Sequence, residues 1–313
     1  VRNTFGAKGH SLVEIMVVMS CGVLLSLAMI QGYTFAFRLY IQHVMMLEVQ
    51  NSARMVQWLL SKAIRTSGNF GCNGFRSNTV LRYHPSIESS HIPLNLTERV
   101  KGVSSTSLTV SEAMRPRLNE DSDALFVLGL KKIKKISLVP SQQADCFVVQ
   151  GKTNFKSNRW LALCDCSHMD VARMTQTPKF NSRKGTSLVC VEPFSQGFSA
   201  EYKKNGLVGE ISAKQFYVAK TQRQENLEPI YALYESDLNG LTHELVEGVE
   251  KIELTFSQDK NPPQVFLAKE QVSSWSDIQF VEARVKISSV TQLYGRPLTQ
   301  WWQFKWAIYG LSN

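Results

Sequence analysis

The longest unbroken pattern in the chain is apolar. Ile15 to Phe37 are 23 residues without a formal charge. As a helix rising about 1.5 Å per residue they extend roughly 34 Å, enough to cross a hydrocarbon core of about 30 Å. The pattern then changes period without a break. Arg38 to about Thr66 contains no glycine or proline, and apolar residues recur at Met45, Val49, Ala53, Val56, Leu60 and Ile64. Steps of three and four put these on one helical stripe, while Glu48, Gln50, Arg54, Gln57, Lys62 and Arg65 occupy the rest. Ser67-Gly68-Asn69 supplies a glycine stop. The two patterns together predict one continuous helix, apolar all round in its first half and amphipathic in its second.

Beyond the helix, 76–120 is polar and broken by Pro85, Pro93 and Pro116, and reads as loops with a short strand at Leu108-Thr109-Val110. Ser122-Asp123-Ala124-Leu125-Phe126-Val127-Leu128 opens a β-rich region. Further strands are expected at Ile136–Val139, Cys146–Val149, Trp160–Cys164, Leu188–Val191, Gln215–Ala219 and Ile230–Tyr234. Asn239-Gly240, between Leu233 and Leu245, predicts a hairpin turn because asparagine and glycine tolerate positive φ. Asp237 and Asn239 could be taken for calcium ligands, but the glutamate at position twelve of an EF-hand loop is missing and a turn fits better.

Composition changes this picture little. The chain is 43% hydrophobic and 19% charged, as an ordinary folded protein is. The roughly 275 residues after the apolar run are enough for a large core. Net charge is +9, with Arg2 and Lys8 contributing two of it ahead of the apolar run. By the positive-inside tendency those cations place the N-terminus in the cytoplasm and the rest of the chain outside it. The densest basic run, Lys131-Lys132-Ile133-Lys134-Lys135-Ile136, reads as a solvated segment, and no aromatic residue interleaves its lysines, which argues against DNA contact.

Cysteines carry more information. Cys21 lies in the apolar run and reads as a small filler. Cys72, Cys146, Cys164, Cys166 and Cys190 fall on the exported side, where an oxidising compartment permits disulfides. Five is odd, so at least one stays outside an intrachain bond. Cys164 and Cys166 are two apart at the end of a predicted strand and are expected to take different partners. A zinc site from Cys164, Cys166 and His168 lacks the second cysteine pair of a zinc ribbon.

The start of the apolar run is specific. Lys8-Gly9-His10-Ser11-Leu12-Val13-Glu14 places a small residue before the run, and no A-x-A-like cleavage site follows it, unlike a secretory signal. This resembles the class III signal of type IV pilins and of type II secretion pseudopilins. The resemblance implies that a prepilin peptidase removes leader 1–9 by cutting between Gly9 and His10, and that His10 is then N-methylated. It implies further that Glu14, the fifth mature residue, pairs with the N-terminal ammonium as the subunit enters the filament. A carboxylate at the centre of a membrane helix costs about 2.5–3.5 kcal/mol, and one at the membrane side of a helix start likewise calls for a partner. His10 departs from the Phe or Met usual in the family after the cut.

Later motifs narrow the resemblance to W-type minor pilins. These are the glycine-x-aromatic-glycine-cysteine step Gly68-Asn69-Phe70-Gly71-Cys72, the strand Leu245-Val246-Glu247-Gly248-Val249, which continues through Ile252, Leu254 and Phe256, and Trp275 ahead of a strand at Val281–Ile287. The closing Trp301–Tyr309 fits the family's last strand, while Leu311-Ser312-Asn313 departs from its usual Arg-Asn end. The implied fold is α+β and type IV pilin-like. A filament-core and membrane helix (10–37) continues amphipathically (38–67) and packs on a large antiparallel β-rich periplasmic domain (68–313).

The resemblance implies priming of pilus assembly from the inner membrane. The partners would be other minor pilins and the major pilin, and a tip adhesin is a further candidate. It also implies a bridge from Cys72 to Cys166, because Asp165-Cys166 resembles the family's second recurring cysteine. Cys146 is the alternative partner for Cys72, and Cys164 is left for Cys190. The sequence has no phosphate loop, no H-E-x-x-H and no G-x-S-x-G. His43, His84, His91, His168 and His243 stand singly, so no catalytic residue, metal or cofactor is expected. Two other readings stay open: a J-type pseudopilin of a type II secretion system, and an anchored exported binding or enzymatic domain.

Overall fold

The structure, a computed structural model, describes residues 11–308 apart from 69, 71–79, 85–94, 109, 139–144, 166, 195–197, 199–201, 203–205, 226–227, 239 and 260–264. One helix, α1 (Leu12–Thr66), runs for 55 residues, or roughly 80 Å. Ser11 to Tyr40 are exposed throughout. The residues α1 buries are Met45, Val49, Ala53, Val56, Leu60 and Ile64, the stripe read from the sequence. Thr66 ends the helix, and Gly68 turns the chain with φ +66°.

Among the described residues fifteen strands follow: β1 (Val80–Tyr83), β2 (Val100–Ser104), β3 (Asp123–Leu138), β4 (Cys146–Gln150), β5 (Trp160–Cys164), β6 (His168–Arg173), β7 (Lys179–Asn181) and β8 (Thr186–Cys190), then β9 (Leu207–Glu225), β10 (Glu228–Asp237), β11 (Thr242–Glu247), β12 (Val249–Ser257), β13 (Leu267–Ala268), β14 (Phe280–Leu293) and β15 (Arg296–Ala307). They form two sheets. The larger has the order β1-β6-β5-β9-β3-β4-β8-β7, with β2 added beside β3 and the β10–β11 hairpin beside β9. Its pairings are antiparallel except β1 with β6. The smaller is β13-β12-β14-β15, antiparallel throughout. The molecule is therefore α+β: a long N-terminal helix, apolar in its first half, packed on a large β-rich domain.

The principal core fills the space between α1, the smaller sheet and one face of the larger. Val56, Leu60 and Ile64 share it with Val281, Val285 and Ile287 of β14, Phe304 and Trp306 of β15, and Leu125, Phe216 and Val218 of the larger sheet. Along β9 neighbouring residues serve opposite faces: Phe216 and Val218 join this core, while Tyr217 and Ala219 join another with Leu108 and Tyr234. A strand buried on both faces loses the apolar–polar alternation of a half-buried one.

One glycine carries the crossing between sheets. Gly248, at φ +82°, donates its N–H to the Tyr231 carbonyl in the larger sheet and accepts from Ser288 N–H in the smaller, both at 2.8 Å. A Cβ there would lie 2.3 Å from the Ser288 oxygen. This is the glycine of the Leu245–Val249 motif, and it marks a change of sheet rather than a single strand.

Two expectations need correction. Neither Leu108 nor Val110 lies in a strand: Leu108 caps a 3-10 turn at Ser105–Ser107, and Thr109 lies outside the described residues. The stretch 76–120 is not all loop, since β1 and β2 form within it. The basic run at Lys131 falls within β3, where a register shift between Lys131 and Lys134 bulges the strand, and Lys131, Lys132 and Lys135 are exposed, as a solvated segment requires. The turn at Asn239-Gly240 does join β10 to β11, with Gly240 at φ +74° and Asp237 accepting from Leu241 N–H; Asn239 itself lies outside the described residues.

Candidate functional site

The feature calling for a function is the bare half of α1. Its apolar side chains from Leu12 to Phe37 have no domain packed against them, and the helix is long and apolar enough to cross a membrane. At its start the N–H groups of Glu14 and Ile15 donate to the Ser11 carbonyl, at 2.9 and 3.3 Å. Glu14 occupies the first turn, where the positive end of the helix dipole favours an acidic side chain. Its carboxylate is exposed and, among the described residues, has no side-chain partner. Gly9 and His10 lie outside the described residues.

The other half of α1 is clamped. Glu48 accepts from the Thr291 N–H at 3.0 Å and from its hydroxyl at 2.5 Å, tying α1 to the β14–β15 hairpin. Ser52 donates to the Glu247 carbonyl at 3.3 Å, next to the crossing glycine. At the helix end Gly68 N–H donates to the Leu128 carbonyl at 2.9 Å. A Cβ on Gly68 would meet the Arg99 side chain at 2.0 Å, and one on Gly129 would sit 2.7 Å from the Thr66 carbonyl oxygen. The helix exit thus rests against β3 without room for side chains. Arg99 is buried beside it, and that burial lowers its pKa, opposed by the charge of Asp277.

One disulfide lies among the described residues. Cys146 and Cys190 face each other across β4 and β8 and are disulfide-bonded, with Cα atoms 4.1 Å apart. This overturns both the Cys72–Cys146 and the Cys164–Cys190 pairings. The reason is which face of β5 looks toward β8. Leu161 and Leu163 pack with Val189 and Val191 of the β8 side, whereas Cys164 points into the opposite cluster with Phe70 and Trp160. There its thiol donates to the Phe70 carbonyl at 2.6 Å. Cys72 and Cys166, and with them the expected bridge, lie outside the described residues.

Two polar clusters remain, and both hold strands together. Glu210 of β9, its side chain 3% exposed, receives Lys132 at 2.8 Å, Lys131 at 3.5 Å and Arg159 at 3.7 Å. That buried carboxylate pairs with the first two lysines of the basic run. Tyr234 donates to Glu244 at 3.0 Å and accepts from Arg117 at 3.0 Å. Its pKa is pushed up to about 12 by burial first and by Glu244 next, with Arg117 opposing. Among the described residues no three His, Cys, Asp or Glu side chains gather as metal ligands. His84 lies 3.2 Å from Glu192, and His168 lies 3.4 Å from Asp165.

Compared with known protein families, with curated proteins and with solved structures, the chain gives no match.

Proposed function

We propose that the chain is a minor pilin of the W type its sequence resembles, taking part in the priming of type IV pilus assembly from the inner membrane. One observation supports this above the others. A single unbroken helix is bare and apolar over its first half and clamped to a β-rich domain over its second. A protein needing only an anchor has no use for a rigid connection between span and domain, whereas a subunit lifted out of a bilayer into a helical filament does. In this reading the prepilin peptidase cuts after Gly9 and the new amine of His10 is methylated. Glu14 neutralises a neighbouring subunit's ammonium as lipid is exchanged for helix. The domain faces the periplasm and the partners are other pilins.

The test combines the mature N-terminus with one substitution. Mass spectrometry of the processed chain should find a methylated His10, and Gly9→Leu should leave the leader attached. Glu14→Ala should insert and be processed normally, yet enter filaments poorly. Normal piliation in a strain carrying only Glu14→Ala rejects the assignment.

A further inference from the structure

Where α1 leaves its uncharged stretch, the tip of the β14–β15 hairpin comes alongside it. The tip turns through Tyr294 and Gly295, at φ +55° and +73°, as the two-residue hairpin turns with positive φ do. Arg38, the first residue after the uncharged run, lies over the Tyr294 ring with its guanidinium carbon 5.5 Å from the centroid. Tyr294 is itself 73% exposed. Behind the tip a groove of about 500 Å³ opens between helix and hairpin. Its walls include Leu39, His43 and Met46 from α1 and Leu293, Pro297 and Leu298 from the hairpin, with Arg296 at its rim.

Depth and charge identify the occupant. Leu39 to Met46 lie two to nine residues beyond Phe37, about 3–14 Å further along the axis. The headgroup layer on each side of a bilayer is about 5–8 Å thick, so the groove begins within it. Arg38 and Arg296 have no carboxylate partner among the described residues, and no acidic side chain lines the groove. The nearest acid on α1, Glu48, is held by Thr291. An exposed tyrosine at this level fits the aromatic belt of a membrane interface. Guanidinium groups suit phosphate oxygens by shape as well as charge.

We infer that this groove binds one anionic glycerophospholipid of the leaflet from which the helix emerges. Its acyl chains stay in the bilayer, its phosphate lies at Arg38 and Arg296, and its headgroup extends into the groove past Leu39 toward His43. The inference rests on the membrane-spanning part of the reading above and on nothing specific to pili. The hairpin tip then sets the height of the domain on the membrane.

The experiment uses the full-length chain in mild detergent, titrated with phosphatidylglycerol or phosphatidylcholine, with bound lipids counted by native mass spectrometry. One phosphatidylglycerol per chain should bind well ahead of phosphatidylcholine. Arg38→Gln with Arg296→Gln should weaken it about ten- to thirtyfold, as expected for the loss of two interfacial cations. His43→Trp, which fills the groove from the exposed helix surface, should weaken both lipids. Equal binding of the two lipids, or binding unchanged by both variants, overturns the site. So does a photocrosslinker at His43 that captures a second chain and no lipid in membranes. Alkaline carbonate extraction separates the two levels: a wild-type chain released from membranes overturns the span and the lipid site together, whereas a retained chain with unchanged lipid binding overturns the site alone.

Discussion

Cys146 and Cys190 fasten β4 to β8 at the outer end of the larger sheet, closing a separation of 44 residues. On the chain-entropy account a loop of that size stabilises by about 4 kcal/mol, and losing such a bond costs about 2–5 kcal/mol in practice. Cys146→Ser should lower stability by that order, and Cys146→Ser with Cys190→Ser should cost little more, because one bond is lost either way. Non-reducing peptide mapping should recover the 146–190 pair. Tyr234 gives a second residue-level expectation. Its phenol keeps its proton to about pH 12 in the folded chain, against about 10 when unfolded. Stability from this group is thus complete below about pH 10 and is lost as pH rises from there toward 12. Unfolding temperature should fall over that window, and less steeply in Tyr234→Phe.

At the scale of elements, the second half of α1 has two faces with opposite sensitivities. Leu60 is 1% exposed in the principal core, and Leu47, on the same helix, is 57% exposed. Leu60→Ala should destabilise the domain by about 2–5 kcal/mol. Leu47→Ala should change it by less than about 0.5 kcal/mol, as surface substitutions usually do. Urea unfolding of the two variants checks both. The contrast was legible in the sequence because a stripe of period 3.6 depends only on neighbours along one helix, and Met45 to Ile64 announced it. Strand positions such as Trp160–Cys164 were legible for the same local reason. Partners were not. Whether Cys164 or Leu163 of β5 looks toward Cys190 depends on which face of a doubly buried strand meets which core, and both faces read alike. The groove was invisible too, because its walls come from α1 and the β14–β15 hairpin, some 250 residues apart.

For the whole molecule, the bare half of α1 adds nothing to the domain's core, since every residue from Ser11 to Tyr40 is exposed. A fragment comprising 38–313, exported to an oxidising compartment, should therefore be soluble and unfold cooperatively. Its unfolding midpoint should match that of the detergent-solubilised full chain. Aggregation of the fragment, or a much lower midpoint, would mean that the apolar half contributes to the fold after all.

The bond between Glu48 and Thr291 spans 243 residues of sequence, and this sets an order of events at the ribosome. At about 5–20 residues per second, the helix emerges and can engage the bilayer some ten seconds or more before β14 and β15 exist to receive it. During that wait the Met45–Ile64 stripe is a sticky surface, with its own sheet still unmade. Contacts this distant form slowly, because the loop must close before they reward it. A lesion anywhere in β14 or β15 should surface first as aggregation or proteolysis of newly made chains, before any change in the mature domain is seen.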